Sequence, residues 1–517
     1  QGLLFERSSA PIATLSVCPC WRRQGCYKGR AILLRRAQMT DDVILINSQL
    51  GESRIAVLED ARLTDIIIRR SKTAGIVGNI YLGRVEKVLT GLQAAFIDIG
   101  LGRSGFLGLA DARLVAKQNN DADDSIADYV KEGDAVPVQV TREAFEDKGA
   151  KLSLKISLPG HYMVFAPGQA TVKVSRRLGD EGERKRLQGV LSDLSDEADG
   201  VIARTAAEGA SDQALAKDLS HLQSLWKQIS DQRTTARPPL LMLDQAGSIY
   251  RVLVDLGGLS ADRIVVDDAG VLAEIKREAG TGSGLEKNLT LHTGDEELFE
   301  AHGVEEQLDA ALSGTVALPS GGTILIDETR ALTAIDVNTG GARFGSPEET
   351  AFQTNLEAAD VLAREIRLRN LSGLLIVDAV PLRAEKNRTK FLARLREAVA
   401  RDPVPMHVVG FTKLGLVEMT RERRRPSLST VVCGDLLNER AKSTLSLTFD
   451  ALRRVGRESH AHPGRALALT AAPLVINMLR GDASQALAAT DEKLGRPLVL
   501  EADPTLATSE FHVRPLV

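Results

Sequence analysis

Two apolar runs, "ALTAIDVNTG" over residues 331–340 and "LSGLLIVDAV" over 371–380, each deliver one aspartate where a buried strand should be ending. Between them, residues 347–369 have helical spacing and open with "SPEE". There Ser346 suits the cap, Pro347 the first turn and Glu349 the return bond of a capping box. Phe352, Leu356, Ala359 and Ile366 fall on one face as the buried stripe. Strand, helix and strand at this spacing constrain residues 315–425 to an α/β layered arrangement with loops gathered at the strand ends. Asp336 and Asp378, forty-two positions apart in the chain, are therefore expected at one shared site.

Paired carboxylates at neighbouring strand ends suit Mg²⁺, with Mn²⁺ as a substitute, because a hard cation takes oxygen ligands and is held by one or two carboxylates plus substrate phosphate. Such an ion polarises a phosphodiester and activates water at one point. Asn338, two residues beyond Asp336 on the same side of an extended strand, can orient water or phosphate. The competing reading of each acid is a turn cap.

At 517 residues and roughly 150 residues per domain, the chain should hold several folded units. With 43% apolar residues and 26% charged, it is ordinarily globular, and no stretch reaches the ~18 apolar residues of a transmembrane segment. A net charge of −4 argues against a nonspecific polyanion binder but allows local basic surface. Three of four cysteines, Cys18, Cys20 and Cys26, sit in a basic, irregular stretch, residues 1–38, and Cys433 stands alone. This is no disulfide framework; it suits a reducing, cytoplasmic setting. Residues 1–38 read as an extension rather than a domain, without the features of a signal peptide.

From Met39 the chain alternates in texture. Residues 43–70 read as three strands, and short glycine-punctuated strands between 76 and 157 number about five, the size of an OB-type barrel. Residues 183–232 have helical spacing, with Leu215, Leu219, Leu222 and Trp226 on one face. Strands are expected at 249–254 and 263–267, and further ones near 473–478 and 497–500. The loop "GTGSG" at 280–284 lacks the Lys-Ser/Thr that would make it a phosphate loop.

"GGTILIDETRALTAIDVNTGG", "EETAFQTNLEAADVLAREIRLRNLSGLLIVD" and "KLGLVEMTRERRRPSL" resemble the catalytic core of the ribonuclease E/G family of endoribonucleases. "GNIYLGRVEKVLTGLQAAFIDIGLGRSGFL" is similar to that family's S1-type RNA-binding barrel. The resemblance runs in order from about Met39 to about Leu428. It implies an α/β multidomain fold: an RNase H-like subdomain in two parts (39–75 and 244–312), with an inserted S1-like OB barrel (76–157) and a 5′-phosphate sensor (158–243). A DNase I-like catalytic subdomain (313–430), a degenerate zinc-link region (431–436) and a small C-terminal α/β domain (437–517) follow. The implied activity is Mg²⁺-dependent hydrolysis of single-stranded RNA to 5′-phosphate and 3′-hydroxyl ends, in rRNA and tRNA processing and mRNA decay. Asp336 and Asp378 match the metal-binding aspartates and Asn338 the supporting asparagine. Phe96, Phe106 and Lys148 match RNA-contacting positions. Gly160, Val164, Arg176, Arg204 and Thr205 match the sensor for a 5′-monophosphate. A homodimer or higher homo-oligomer is implied as well.

This chain departs from the family pattern in three places. Pro405 stands where a sensor arginine is expected. "STVVCGDLL" offers Cys433 alone where the family has a Cys-x-x-Cys zinc link, so zinc is not expected. "DAVPL" after the second aspartate lacks the further acid of Phe-x-Asp-Met. Residues 437–517 carry no long Pro/Arg-rich or low-complexity stretch, which resembles the shorter G-type members. An impaired RNA-binding relative and a P-loop-type nucleotide hydrolase are the two alternatives, the latter without its motif.

Overall fold

The computed structural model describes residues 42–70, 75–113, 124–144, 148–175, 178, 180–196, 199–245, 247–256, 261–279, 285–294, 296–434 and 441–516. The extension 1–38 with its three cysteines, the glycine loop 280–284 and the candidate sensor residue Arg176 lie outside them. Residues 41–517 form one compact unit.

Three strands, β1 (Val43–Gln49), β2 (Glu52–Glu59) and β3 (Arg62–Arg70), appear where alternation placed them. They continue a sheet whose other members, β14 (Arg263–Val266) and β15 (Leu289–Leu291), run parallel to β1. The expected strand at 249–254 is instead a helix, Ile249–Asp255. Ser248 caps it by accepting the Arg251 N–H, and Ile249, Tyr250, Leu253 and Val254 bury one helical face against the sheet. Short apolar runs rich in β-branched residues do not distinguish the two states.

The glycine-punctuated segment forms a closed five-stranded barrel. β4 (Ile80–Leu89), β5 (Ala94–Asp98), β6 (Gly105–Gly108), β8 (Lys151–Ser153) and β7 (Ala135–Arg142) pair in that order, and β7 returns to β4. Tyr81, Val85, Ile97, Leu107, Val138 and Leu152 fill its interior. The helical stretch expected over 183–232 is interrupted. Helices Glu181–Leu194 and Asp212–Thr235 flank a strand, β12 (Gly200–Ala203). β12 lies between β10 (Met163–Ala166) and β11 (Val172–Val174), and β9 (Leu158–Pro159) completes that sheet. Leu187, Leu191, Leu215, Leu219 and Leu222 pack on Phe165 and Val201; Trp226 is only partly buried. β13 (Leu240–Leu243) adds to β4 at the barrel edge.

A six-stranded sheet carries the two aspartates. Its order is β16 (Thr315–Ala317), β17 (Thr323–Glu328), β18 (Leu332–Asn338), β19 (Gly373–Asp378), β21 (Val417–Arg421) and β20 (Met406–Phe411). β18 and β19 are parallel, as their connection through helix Pro347–Leu368 requires. That helix and Glu385–Val399 cover one face, where Ile324, Ile335, Val337, Leu375, Val377 and Met419 meet Ala359, Leu362, Ile366 and Phe391. Leu356 is only half-buried on the expected stripe. Ser346 caps as expected, but Glu349 accepts from Gln353 rather than closing a capping box.

Beyond residue 441, strands β22 (Leu467–Ala471), β23 (Val499–Ala502) and β24 (Phe511–Pro515) form a small sheet with helices against it. The expected strand near 473–478 is helix Pro473–Arg480, begun by a proline at its first position.

Candidate active site and RNA-contacting surfaces

Alternation along β18 decides which way its acid points. Ile335 and Val337 are buried, so Asp336 and Asn338 emerge on the uncovered face. β19 has the same phase, with Leu375 and Val377 inward and Asp378 exposed. Asp336 and Asp378 are direct register partners across the two parallel strands. Adjacent strands lie about 4.8 Å apart, which puts the carboxylates within reach of one ion.

The Asn338 side-chain amide donates to Asp336 Oδ2 at 2.7 Å. Among the described residues no backbone N–H donates to either carboxylate, in contrast to Asp180, which caps a helix by accepting the Gly182 N–H at 2.8 Å, and Asp244, which accepts the Gly247 N–H of a turn at 2.6 Å. The turn-cap reading of the pair therefore lacks its defining bond. No cluster of three or more His, Cys, Asp or Glu suited to a metal occurs among the described residues. The site is a sparse set of oxygen donors, the kind that leaves most of an ion's coordination to water and substrate.

Two further side chains shape this end of the sheet and were not anticipated. Asn355, fully buried on helix Pro347–Leu368, donates to the Val380 carbonyl at 2.8 Å and accepts the Val380 N–H at 3.0 Å. Glu348 accepts from the N–H groups of Arg383 and Ala384 and from Asn387, bonds that hold its carboxyl below the usual range. Asn355 thus ties down the "DAVPL" segment that begins at Asp378, and Glu348 the residues that follow it. A polar residue inside an apolar helical stripe is the one sequence signal that marks Asn355. The turn after Asn338 needs Gly340: its φ is +50°, and a Cβ there would lie 2.4 Å from the Gly321 carbonyl oxygen.

On the barrel, Phe96 and Phe106 are register partners on β5 and β6, with ring centroids 6.0 Å apart in an edge-to-face arrangement. Phe96 is half-buried and Phe106 is exposed, whereas their neighbours Ile97 and Leu107 fill the core. Neither ring belongs to the interior cluster. Lys148 is exposed, and the chain after it abuts the start of β6, where the Phe106 N–H donates to the Ala150 carbonyl at 2.8 Å. That approach leaves no room for a side chain at Gly149, whose Cβ would meet the Ser104 carbonyl oxygen at 2.0 Å.

Gly160, Arg204 and Thr205 also converge. The guanidinium of Arg204 donates to the Gly160 carbonyl at 3.1 Å and to the Val254 carbonyl at 2.6 Å, and its burial lowers its pKa. Asp218, missed in the sequence, accepts the N–H groups of His161, Tyr162 and Met163 at 3.1, 2.8 and 3.2 Å. A Cβ at position 160 would approach its carboxylate to 2.7 Å, which accounts for the glycine. Burial, then the nearby Arg204 charge, pushes His161 down to about 4. Thr205 is exposed, with its hydroxyl 3.5 Å from that of Ser175. Val164 pairs with Ile202 in the same sheet and is half-buried. Pro405 is exposed just before β20. Cys433 is buried, and burial raises its thiol pKa.

No helix among the described residues is long and apolar enough to cross a membrane.

The model of the ribonuclease E/G family matches residues 157–424. Ribonuclease G of Escherichia coli (strain K12) is 35% identical over 484 residues, covering 91% of this chain and 99% of that protein. Ribonuclease G of Haemophilus influenzae is 34% identical over 483 residues, covering 91% and 98%. Ribonuclease E of Escherichia coli (strain K12) is 34% identical over 493 residues, covering 91% of this chain but 46% of that longer protein. The match spans the sheet that pairs Asp336 with Asp378, and this chain belongs to the ribonuclease E/G family.

Proposed function

We propose that the chain is an endoribonuclease that cuts single-stranded RNA by Mg²⁺-dependent hydrolysis, leaving 5′-phosphate and 3′-hydroxyl ends, in rRNA and tRNA processing and mRNA decay in the cytoplasm. The observation that carries this reading is the exposed register pair Asp336 and Asp378, which accept no backbone N–H among the described residues. Buried capping acids would have been spent on backbone.

Asp336 and Asp378 would hold the ion, and the donor set fits, since both are carboxylates open to solvent beside one amide. When bound, Mg²⁺ supplies Lewis acidity at the scissile phosphodiester. Asn338 orients the Asp336 carboxylate through its donated hydrogen bond. Asn355 and Glu348 immobilise the backbone that follows Asp378, so the second carboxylate stays in place without ligands of its own. Phe96 and Phe106 stack bases, at roughly 1–3 kcal/mol each, without sequence preference. Lys148 neutralises phosphate. Gly160, Val164, Arg204 and Thr205, with Arg176, receive a 5′-monophosphate, since guanidinium and hydroxyl donors match phosphate oxygens.

In this reading the parts are an RNase H-like subdomain, an S1-like barrel, a 5′ sensor, a DNase I-like catalytic subdomain and a C-terminal domain, assembled as a homo-oligomer without a zinc link. The test is end analysis of products from a single-stranded RNA incubated with Mg²⁺. Internal cuts bearing 5′-phosphate and 3′-hydroxyl ends are expected; 5′-hydroxyl ends or only terminal nucleotides would overturn the assignment.

A further inference from the structure

A β-bulge in β4 brings an unassigned lysine beside the aromatic pair. Val85 faces Ile97 and Val88 faces Ala95, yet two residues, Glu86 and Lys87, lie between Val85 and Val88 opposite Phe96 alone. The extra residue interrupts alternation: Val85 is buried, Glu86 and Lys87 are both exposed, and the register partner of Phe96 is Lys87. Bulges characteristically re-aim a side chain at the rim of a barrel. Cross-strand pairing therefore lays out one outward row, Lys87, Phe96, Phe106 and Lys151, on β4, β5, β6 and β8.

The cations of this row are not equivalent. Lys151 is paired with Asp111 at 2.8 Å, so its charge is largely compensated. Lys87 has no ion-pair partner among the described residues, although carboxylates are nearby: Glu86 is engaged by the Ser104 hydroxyl, and Glu132 accepts the Val88 N–H at 3.1 Å. A lone exposed lysine is ordinary. One placed by a bulge against a solvent-facing aromatic pair, on the side opposite the Lys148 end, is positioned for a ligand that alternates flat rings with negative charge.

We propose that Lys87 is an RNA-contacting residue for a single strand, meeting the backbone phosphate on the β4 side of the two bases stacked on Phe96 and Phe106. Lys148 takes the phosphate on the other side. The strand is thus gripped at both ends of a two-base step and led across the barrel from β6 to β4. This inference rests on the reading of the barrel as an RNA-binding surface.

The experiment measures binding of a fluorescein-labelled oligouridylate to the full chain by anisotropy over a range of KCl concentrations, in the Asp378→Asn background so that RNA survives. Lys87→Ala, Lys87→Arg and Phe106→Ala are compared. Removing one phosphate contact from a single strand lowers the slope of log K against log salt by about 0.7. Lys87→Ala is expected to show that reduction with a several-fold weaker affinity, and Lys87→Arg to keep both. Should Phe106→Ala weaken binding while Lys87→Ala leaves slope and affinity alone, the role of Lys87 is refuted and the barrel reading stands. Should both variants bind like the parent, the barrel is not the RNA surface and the inference fails with that reading.

Discussion

The Asn338 side chain donates to Oδ2 of Asp336 at 2.7 Å across one intervening residue, Val337, whose side chain is buried on the opposite face of the sheet. The bond restrains a solvent-exposed carboxylate that would otherwise rotate freely. Asn338→Ala should slow single-turnover cleavage about 10–100-fold, the usual cost of losing an outer-shell partner at a metal site. RNA affinity should hold, because the substitution leaves the barrel untouched. Unchanged cleavage would remove Asn338 from the site.

The clamp between Asn355 and Val380 makes a different demand. Asn355 is fully buried, and both its hydrogen bonds go to one backbone unit two residues past Asp378. Asn355→Ala strands a buried N–H and carbonyl, so it should destabilise the chain by about 2–4 kcal/mol in urea unfolding. It should also raise the Mg²⁺ concentration needed for half-maximal cleavage. Loss of stability with an unaltered Mg²⁺ requirement would make the clamp purely structural.

Thr205 is exposed, whereas Arg204 also bonds two carbonyls of the fold, so a change at Thr205 probes end sensing with little risk to the fold. Thr205→Val is expected to reduce the preference for 5′-monophosphorylated over 5′-hydroxylated RNA several-fold, with cleavage of the hydroxylated substrate unaltered. Equal losses on both substrates would contradict a sensor role.

Cys433 is buried with a raised pKa, and burial disfavours the thiolate that binds zinc. Elemental analysis of purified chain should show no stoichiometric zinc, and Cys433→Ala should leave the oligomeric state in sedimentation unchanged. Stoichiometric zinc lost on that substitution would restore a metal link between subunits.

Much of the site was legible because a strand that runs apolar and then stops on an acid can place that acid only at its end. Two such strands joined by one helix must be parallel, and in this sheet they are adjacent. The same logic located the closed barrel, since glycines at short intervals permit its bends. Legibility failed where local preference was indifferent or overruled. "IYRVLVD" is β-rich in composition but buries a helical face once Ser248 caps it. Gly200–Ala203 is too short a strand to break a helical pattern visibly, and "PLVINM" became a helix because proline opened it. Lys87 was hidden for a related reason: strict alternation counts it inward, and only the bulge turns it out. The Arg204 guanidinium, the phosphate donor the resemblance implies, also holds two carbonyls, a tertiary fact no local pattern carries.

The most direct test of the account is single-turnover cleavage of a 5′-monophosphorylated single-stranded RNA across a Mg²⁺ titration, comparing the parent chain with Asp336→Asn and Asp378→Asn, with RNA binding measured in parallel. The shared-ion geometry predicts that each variant binds RNA like the parent and cleaves at least a hundred-fold more slowly at any Mg²⁺ concentration. Cleavage by either variant at the parental rate, or by the parent at full rate in EDTA, would contradict it.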